Sequence, residues 1–249
     1  MPVLRRVLYT LHVSAAERII LAQAPDKDIS QENAMLHEFL NYAAFGFLAL
    51  FPILNPPAMA PIFLEMTSGL PDPDRHRLAG MIGKYTFMLL LAVLLVGGWL
   101  LKIFGISIPV IRIAGGLLLF NTAWKMLNNE PRISSAEQEE LKSKMTSQAF
   151  FPMTMPVTAG PGSIAVTLTL VPSGGLIQPE TWLCFGGRAL GIALAATAVF
   201  VFYRYSELIL RRMGKAGSQT ISKISAFILL AIGVQIIWEG LSVLLQAIK

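Results

Sequence analysis

Two short segments place helix-breaking and polar residues inside long apolar stretches. The first is LFPILNPPAMAP, residues 50–61, and the second is TMPVTAGPGSIA, residues 154–165. Proline removes a backbone donor and clashes with the preceding turn, so the four prolines of the first segment predict a broken helix. Asparagine is a strong N-cap and proline is well tolerated at the first helical position. Asn55-Pro56 therefore predicts the start of a new helix within the apolar stretch.

The chemistry that suits two such breaks is the binding of an anionic group such as a carboxylate. A half-helix that begins inside a protein offers free N–H groups and a positive dipole end, and glycine allows a ligand to approach the backbone closely. The predicted substrate-binding residues are those of the two breaks: Asn55, Pro56, Pro57, Ala58, Thr158, Ala159, Gly160, Pro161, Gly162 and Ser163. The alternative is a pair of kinks that serve packing alone, since proline and glycine are frequent in membrane helices.

Four further polar residues are candidates for lining a path through the protein: Asn121, Gln235, Lys84 and Arg188. The two amides could equally form hydrogen bonds between helices. The two cations begin apolar stretches, where snorkelling of the side chain to the membrane surface is the ordinary behaviour. Both interpretations stay open on the sequence.

The sequence contains no constellation that would support catalysis or metal binding. The three histidines, His12, His37 and His76, are scattered outside the apolar stretches, and the single cysteine, Cys184, excludes a cysteine-based metal cluster. No nucleophile–base pair is recognisable either. We therefore predict a protein that is not an enzyme and that needs neither a metal nor another cofactor.

Composition places these segments in a membrane protein. Of the 249 residues, 54% are hydrophobic and only 14% are charged, whereas a soluble domain has about 25% charged residues. The predicted environment is therefore the lipid bilayer. No cluster of basic residues interleaved with aromatic ones is present, so the net charge of +5 does not indicate nucleic acid binding.

The apolar pattern predicts an all-α integral membrane protein with six transmembrane helices. A bilayer requires about 20 apolar residues per helix, and the stretches of suitable length are 39–64, 80–104, 108–128, 148–171, 181–203 and 222–246. The first and fourth contain the proline clusters, so these two spans are predicted to be broken.

The two halves of the chain resemble each other. At an offset of 104 residues, Pro52 matches Pro156, Pro57 matches Pro161, and Gly83-Lys84 matches Gly187-Arg188. Each half has three spans, and an odd number makes the second half enter the membrane from the opposite side. The sequence therefore predicts two inverted three-helix repeats, an architecture in which secondary transporters bind substrate at broken helices.

The predicted organisation has four parts. Residues 1–38 form an N-terminal extension, which is either a signal-like segment, an over-long gene start or a surface helix; 39–128 form the first repeat; 129–147 form a polar cytoplasmic linker; and 148–249 form the second repeat. Twelve lysines and arginines follow spans one, three and five, against two after spans two and four. The positive-inside rule then places the first set in the cytoplasm and both termini in the periplasm.

Four segments resemble the signatures of the MarC family: FPILNPPAMAPIFL, FGISIPVIRIAGGLLLF, FPMTMPVTAGPGSIAV and ISKISAFILLAIGVQIIWEGL. Members of the MarC family are bacterial inner-membrane proteins with six spans, and some of them are described as neutral amino acid transporters. The resemblance runs from about Met35 to the end and omits residues 1–34. It implies that the two family motifs here are Asn55, Pro56 and Pro57, and Gly160, Pro161, Gly162 and Ser163. Pro57 departs from the family pattern, where a leucine is expected.

Two functions from different classes follow from these observations. The leading hypothesis is secondary transport of a small polar solute, such as a neutral amino acid, across the bacterial inner membrane. The alternative is a non-transporting membrane scaffold or regulatory protein. The sequence is compatible with a homo-oligomer and leaves the oligomeric state, the substrate and the coupling ion open.

Overall fold

The computed structural model describes residues 27–128, 154–155, 158–172 and 179–246, and these residues are helical apart from short connections. The helices are α1 (Lys27–Leu54), α2 (Pro56–Met66), α3 (Asp72–Ile103), α4 (Ile108–Asn128), α5 (Pro161–Thr169), α6 (Pro179–Arg204) and α7 (Ser206–Gln246). The fold class predicted from the sequence, an all-α protein, is confirmed over this part of the chain.

The chain divides into two units between Asn41 and Tyr42, and helix α1 runs across the division. In the first unit, residues 27–41 are helical, so α1 begins within the predicted N-terminal extension. Residues 1–26 of that extension and the predicted linker, 129–147, lie outside the described residues. The packing below concerns the second unit.

Five helices within the described residues have the length and apolar composition needed to cross a membrane. They are Asn33–Leu54, Asp72–Phe104, Ile108–Asn128, Thr181–Arg204 and Gln219–Gln246. The predicted fourth span, 148–171, falls partly outside the described residues, and its described part contains the short helix α5. The structure therefore shows a multi-pass membrane protein.

The outer surface of the second unit is strongly apolar. Large hydrophobic side chains are exposed along every long helix, among them Trp99, Trp124, Trp182 and Trp238, each more than half exposed. A water-soluble monomer rarely exposes contiguous apolar patches of this extent. These exposed apolar faces are therefore suited to contact with lipid.

Helices α4 and α7 pack closely and run antiparallel. Gly116 lies against Gly233, and a methyl group added at Gly116 would come within 2.7 Å of the carbonyl oxygen of Gly233. Towards the other end of the pair, Gly240 lies against Pro109, where an added methyl group would again be 2.7 Å from a carbonyl oxygen. Small residues allow two backbones in a membrane to approach in this way.

Helices α3 and α6 also run antiparallel. Arg75, in the first turn of α3, pairs at 3.4 Å with Glu207, which lies just beyond the C-terminal end of α6. Further along α3, Gly83 meets Ala196 and Phe200, and a methyl group there would be 3.0 Å from Phe200 Cβ. Residues later in α3 therefore contact residues earlier in α6, as antiparallel packing requires.

The two short helices pack against the long helices of the opposite half of the chain. Helix α2 contacts α6 and α7, whereas α5 contacts α3 and α4. Their inner faces belong to one buried cluster, which includes Leu54, Ala58, Phe63, Ala159 and Val166. The breaks that precede α2 and α5 are consequently held by the interior of the protein, where a broken backbone avoids exposure to lipid.

Candidate functional site

The first break is a single residue, Asn55, between α1 and α2. Its N–H donates to the carbonyl of Phe51 at 3.0 Å and so completes the last turn of α1. Its own carbonyl accepts hydrogen bonds from Ala58 at 3.1 Å and Met59 at 3.0 Å, which begin α2. The backbone of Asn55 is left-handed, with φ 46° and ψ 52°. The predicted break in the first span is confirmed.

The expectation of free N–H groups at the start of α2 is wrong. Pro56 and Pro57 occupy the first two helical positions and have no N–H. The next two donors, on Ala58 and Met59, are already bonded to the carbonyl of Asn55. This helix start therefore offers a bound anion its dipole but no backbone hydrogen bond.

The side chain of Asn55 supplies the donor that the backbone lacks. The residue is 3% exposed, its side chain makes no capping hydrogen bond, and Nδ2 has no hydrogen-bond partner among the described residues. An unsatisfied buried donor costs about 1–3 kcal/mol, and left-handed backbone adds strain for a residue with a Cβ. Two local costs at one residue are typical of a functional site.

The second break lies at Ala159-Gly160, ahead of α5. Before it, the N–H of Ala159 donates to the carbonyl of Thr154 at 2.7 Å. Gly160 is extended, with φ −76° and ψ 177°, and α5 begins at Pro161. Within the described parts of the chain, no backbone acceptor is found for the N–H groups of Gly160 and Gly162, while residues 156 and 157 lie outside the described residues. Both N–H groups lie beside the positive end of the α5 dipole.

The hydroxyl groups near the second break have acceptors within the protein. Ser163 Oγ donates to the carbonyl of Gly160 at 2.7 Å, and Thr167 Oγ1 donates to that of Ser163 at 2.7 Å. Thr158 Oγ1 lies 2.9 Å from the hydroxyl of Tyr203 on α6. These bonds fix the backbone around Gly160 and so hold the N–H groups of Gly160 and Gly162 in place.

Tyr203 connects the two broken segments, and sequence reasoning missed it. Its hydroxyl is bonded to Thr158, ahead of the second break, and its ring stacks on Phe63 of α2 with centroids 4.6 Å apart. The residue is 2% exposed. In the sequence it resembles an aromatic anchor near the end of a span. Only its position between α2 and Thr158 reveals a structural link between the two breaks.

The predicted path-lining residues occupy three different environments. Asn121 on α4 and Gln235 on α7 are exposed, and Gln235 Nε2 donates to Glu239 Oε1 at 3.1 Å. Lys84 is exposed in a groove between α3 and α6. Arg188 is partly buried. These four side chains are therefore not gathered around the two breaks.

Arg188 caps a helix. Its guanidinium donates to the carbonyl of Leu170 at the C-terminal end of α5, and it lies 5.6 Å from the centre of the Tyr42 ring. Lys223 acts similarly on α4, since its Nζ donates to the carbonyls of Met126, at 3.1 Å, and Leu127. Cations at helix C-termini satisfy free carbonyls and favour the dipole.

The described residues at the two breaks present hydrogen-bond donors rather than a nucleophile–base pair. The groups available at the two breaks are an amide and two backbone N–H donors. No cluster of three or more His, Cys, Asp or Glu side chains that could hold a metal occurs in the described part of the chain. The arrangement suits recognition of an oxygen acceptor such as a carboxylate.

Comparison with known proteins covers the segments that contain both breaks. The model for the MarC family of integral membrane proteins matches residues 40–245, which include both breaks. The chain belongs to the MarC family.

Curated MarC relatives cover most of the chain. The inner membrane protein MarC of Escherichia coli O1:K1 is 31% identical over 206 residues, which cover 79% of this chain and 92% of that protein. The membrane protein YvbG of Bacillus subtilis strain 168 is 31% identical over 198 residues, 78% of this chain and 92% of that protein. No solved structure matches the chain.

Proposed function

We propose that this protein is a secondary transporter of a small polar solute in the bacterial inner membrane, with neutral amino acids as the first candidate class. The observation that carries the proposal is a pair of helix breaks with unpaired donors: Asn55 Nδ2 at one, and the N–H groups of Gly160 and Gly162 at the other. Donors of this kind at broken membrane helices are where transporters bind substrate. The proposed role does not require an enzyme activity.

The solute carboxylate binds, in this proposal, at the second break. Two N–H groups and the α5 dipole favour an anion there. Asn55 Nδ2 donates to a further oxygen of the solute, and the α2 dipole contributes without backbone hydrogen bonds. This is a revision of the arrangement expected from the sequence, in which both helix starts supplied N–H groups.

Inverted repeats are part of the proposal, and three features support them. The third long helices of the two halves, α4 and α7, are antiparallel, and so are the second, α3 and α6. The short helices exchange partners symmetrically, with α2 against α6 and α7, and α5 against α3 and α4. The Arg75–Glu207 ion pair places the starts of α3 and α7 at the same end of the bundle.

The decisive experiment is uptake and counterflow in proteoliposomes across a panel of amino acids. Gly160→Pro should remove one N–H donor and accept the existing φ of −76°, whereas Gly160→Ala retains the donor. We expect Gly160→Pro to raise KM about tenfold, the effect of losing a charge-assisted hydrogen bond of about 1.4 kcal/mol. Gly160→Ala should remain near the wild type.

The outcomes distinguish the transporter from the scaffold or regulatory protein. Transport that is equally affected by both Gly160 variants would mean that the donor does not bind solute. No flux of any panel member, together with a stable complex with another membrane protein, would favour the non-transporting alternative.

A further inference from the structure

A groove of about 400 Å³ opens on the outer surface between α3 and α6, away from the two breaks. Gly80, Gly83 and Phe87 line it from α3, and Ala193, Ala196 and Phe200 line it from α6. The walls are apolar and the floor is shaped by residues with small side chains. A groove of this kind between membrane helices suits an acyl chain.

One cation in this groove has no partner. Lys84 is exposed there, and no carboxylate lies within 4.0 Å of it among the described residues. Arg188, its counterpart at the offset of 104 residues, donates to the carbonyl of Leu170 and lies over the Tyr42 ring. The two repeat-related cations thus differ in their surroundings: Arg188 is partly buried against Leu170 and Tyr42, whereas Lys84 is exposed in the groove.

Two more cations lie on the helices that form the groove, on the α3 N-terminal side of Lys84. Arg204 lies 5.8 Å from the centre of the Phe200 ring, one turn beyond it on α6. Arg77 is exposed on α3, seven residues before Lys84, which is about two helical turns and therefore roughly the same face. Arg77 and Arg204 lie towards the end where α3 begins, an end that also carries Asp72, Asp74 and Glu207, with Asp72 and Glu207 paired to arginines. The apolar walls continue towards Phe87.

We propose that this groove is a binding site for an anionic phospholipid. The phosphate lies at Lys84, with Arg77 and Arg204 beside it, and an acyl chain lies along Phe87 and Ala193. Basic pockets between membrane helices bind anionic headgroups in this way, and each cation contributes about 1 kcal/mol. The proposal is independent of the transport function, because it uses neither break.

Native mass spectrometry of the purified protein tests the charge requirement. The detergent-solubilised protein is titrated with phosphatidylglycerol, phosphatidylcholine or inorganic phosphate. We expect phosphatidylglycerol to bind best, Lys84→Gln to weaken it about fivefold, and Lys84→Arg to restore it. Lys102→Gln is the matched control, an exposed lysine near the opposite end of α3. Equal losses in Lys84→Gln and Lys102→Gln, or equal binding of the two lipids, would overturn the proposal.

A second variant tests the groove with the charge unchanged. A methyl group at Gly80 would lie 3.7 Å from Phe200 Cε2, an ordinary contact, so Gly80→Leu fills the groove without a clash at Cβ. Gly69→Leu adds the same side chain where nothing lies within 4 Å. We expect Gly80→Leu alone to reduce phosphatidylglycerol binding at least fivefold. Retention of wild-type binding by folded Gly80→Leu would exclude the groove as the acyl-chain site.

Discussion

At the scale of single residues, Asn55 combines two features that are unfavourable for stability. Its left-handed backbone and its buried, unpaired Nδ2 each raise the free energy of the folded protein. Glycine would adopt the same φ of 46° without a Cβ and would leave no amide unsatisfied. Asparagine adopts left-handed backbone more readily than most residues with a Cβ, so the unpaired Nδ2 is the feature that the proposed solute would satisfy.

Replacing Asn55 should separate stability from function. We expect Asn55→Gly to be at least as stable as the wild type, and Asn55→Ala to be about 1 kcal/mol less stable than Asn55→Gly because alanine resists left-handed backbone. Both should lose solute binding. Thermal unfolding in detergent, with and without solute, measures both effects. A large loss of stability in Asn55→Gly would show that the amide serves the fold.

Tyr203 offers a second test at this scale. Tyr203→Phe retains the stacking on Phe63 and removes the hydrogen bond to Thr158. A double-mutant cycle with Thr158→Val should give a coupling free energy of about 1 kcal/mol, the contribution of one buried hydrogen bond. Unfolding midpoints of the four proteins measure this coupling. Strict additivity would contradict a link through this bond.

At the scale of helices, two features stabilise the packing. One is the close crossing of helices at glycine residues, and the other is the hydrogen bonding of the carbonyl groups at helix C-termini. α4 and α7 approach at Gly116 and Gly233 because neither has a side chain. The kink at Gly214 within α7, with φ 66° and ψ 176°, uses glycine for its backbone freedom instead. Helix ends buried in a bilayer need their carbonyls paired, and Arg188 and Lys223 meet that need.

The α4–α7 crossing should tolerate no side chain at Gly116. An added Cβ would lie 2.6 Å from Ile237 Cγ1 and 2.7 Å from the carbonyl of Gly233. We expect Gly116→Val to cost on the order of 3 kcal/mol through overpacking. Gly69→Ala, with nothing within 4 Å, is the matched control and should leave thermal stability unchanged. Equal stability of the two variants would refute this crossing.

Arg188 should be required for stability because it caps α5. Arg188→Leu would remove the donor to the Leu170 carbonyl, and we expect a loss of about 2 kcal/mol, as for a hydrogen bond to a charged group. Arg188→Lys retains the charge and should lose less. Denaturation curves provide the comparison. A transport defect with unchanged stability would instead return Arg188 to the path-lining role expected from the sequence.

At the scale of the whole molecule, the number of crossings fixes the topology. If the fourth span crosses, Ser68, after α2, and Tyr205, after α6, lie on one side of the membrane, and Ser107, after α3, lies on the other. If the fourth span does not cross, Tyr205 lies on the side opposite Ser68. The contact between Arg75 and Glu207 favours a fourth span that crosses the membrane. Arg75 follows Ser68 closely in the chain and Glu207 follows Tyr205 closely, so the contact places both connections at the same end of the bundle.

Cysteine labelling resolves the two topologies. The protein has one cysteine, the buried Cys184, so Cys184→Ala provides a background without thiols. We expect an impermeant maleimide to label Ser68→Cys and Tyr205→Cys from the same side, which the positive-inside rule assigns to the cytoplasm, and Ser107→Cys from the other. Labelling of Ser68→Cys and Tyr205→Cys from opposite sides would exclude inverted repeats.

The sequence by itself determined the features that depend on local chemistry. Apolar stretches of membrane length predicted the long helices, and Asn55-Pro56 and Gly160-Pro161 predicted where α2 and α5 begin, because proline ends one hydrogen-bond ladder and can start another. The absence of backbone N–H donors at Pro56 and Pro57 also follows from the sequence alone, since proline has no N–H. Family membership followed from the same motifs.

Only the tertiary structure decided which polar groups remain unpaired. Over the part of the chain that the structure describes, no acceptor from a distant segment reaches Asn55 Nδ2, whereas Thr158 meets Tyr203, 45 residues away. Arg188 meets the end of α5, while its counterpart Lys84 faces an open groove. Hydrogen bonding of a buried side chain depends on what other helices bring within about 3 Å. Spacing along one chain does not encode that distance.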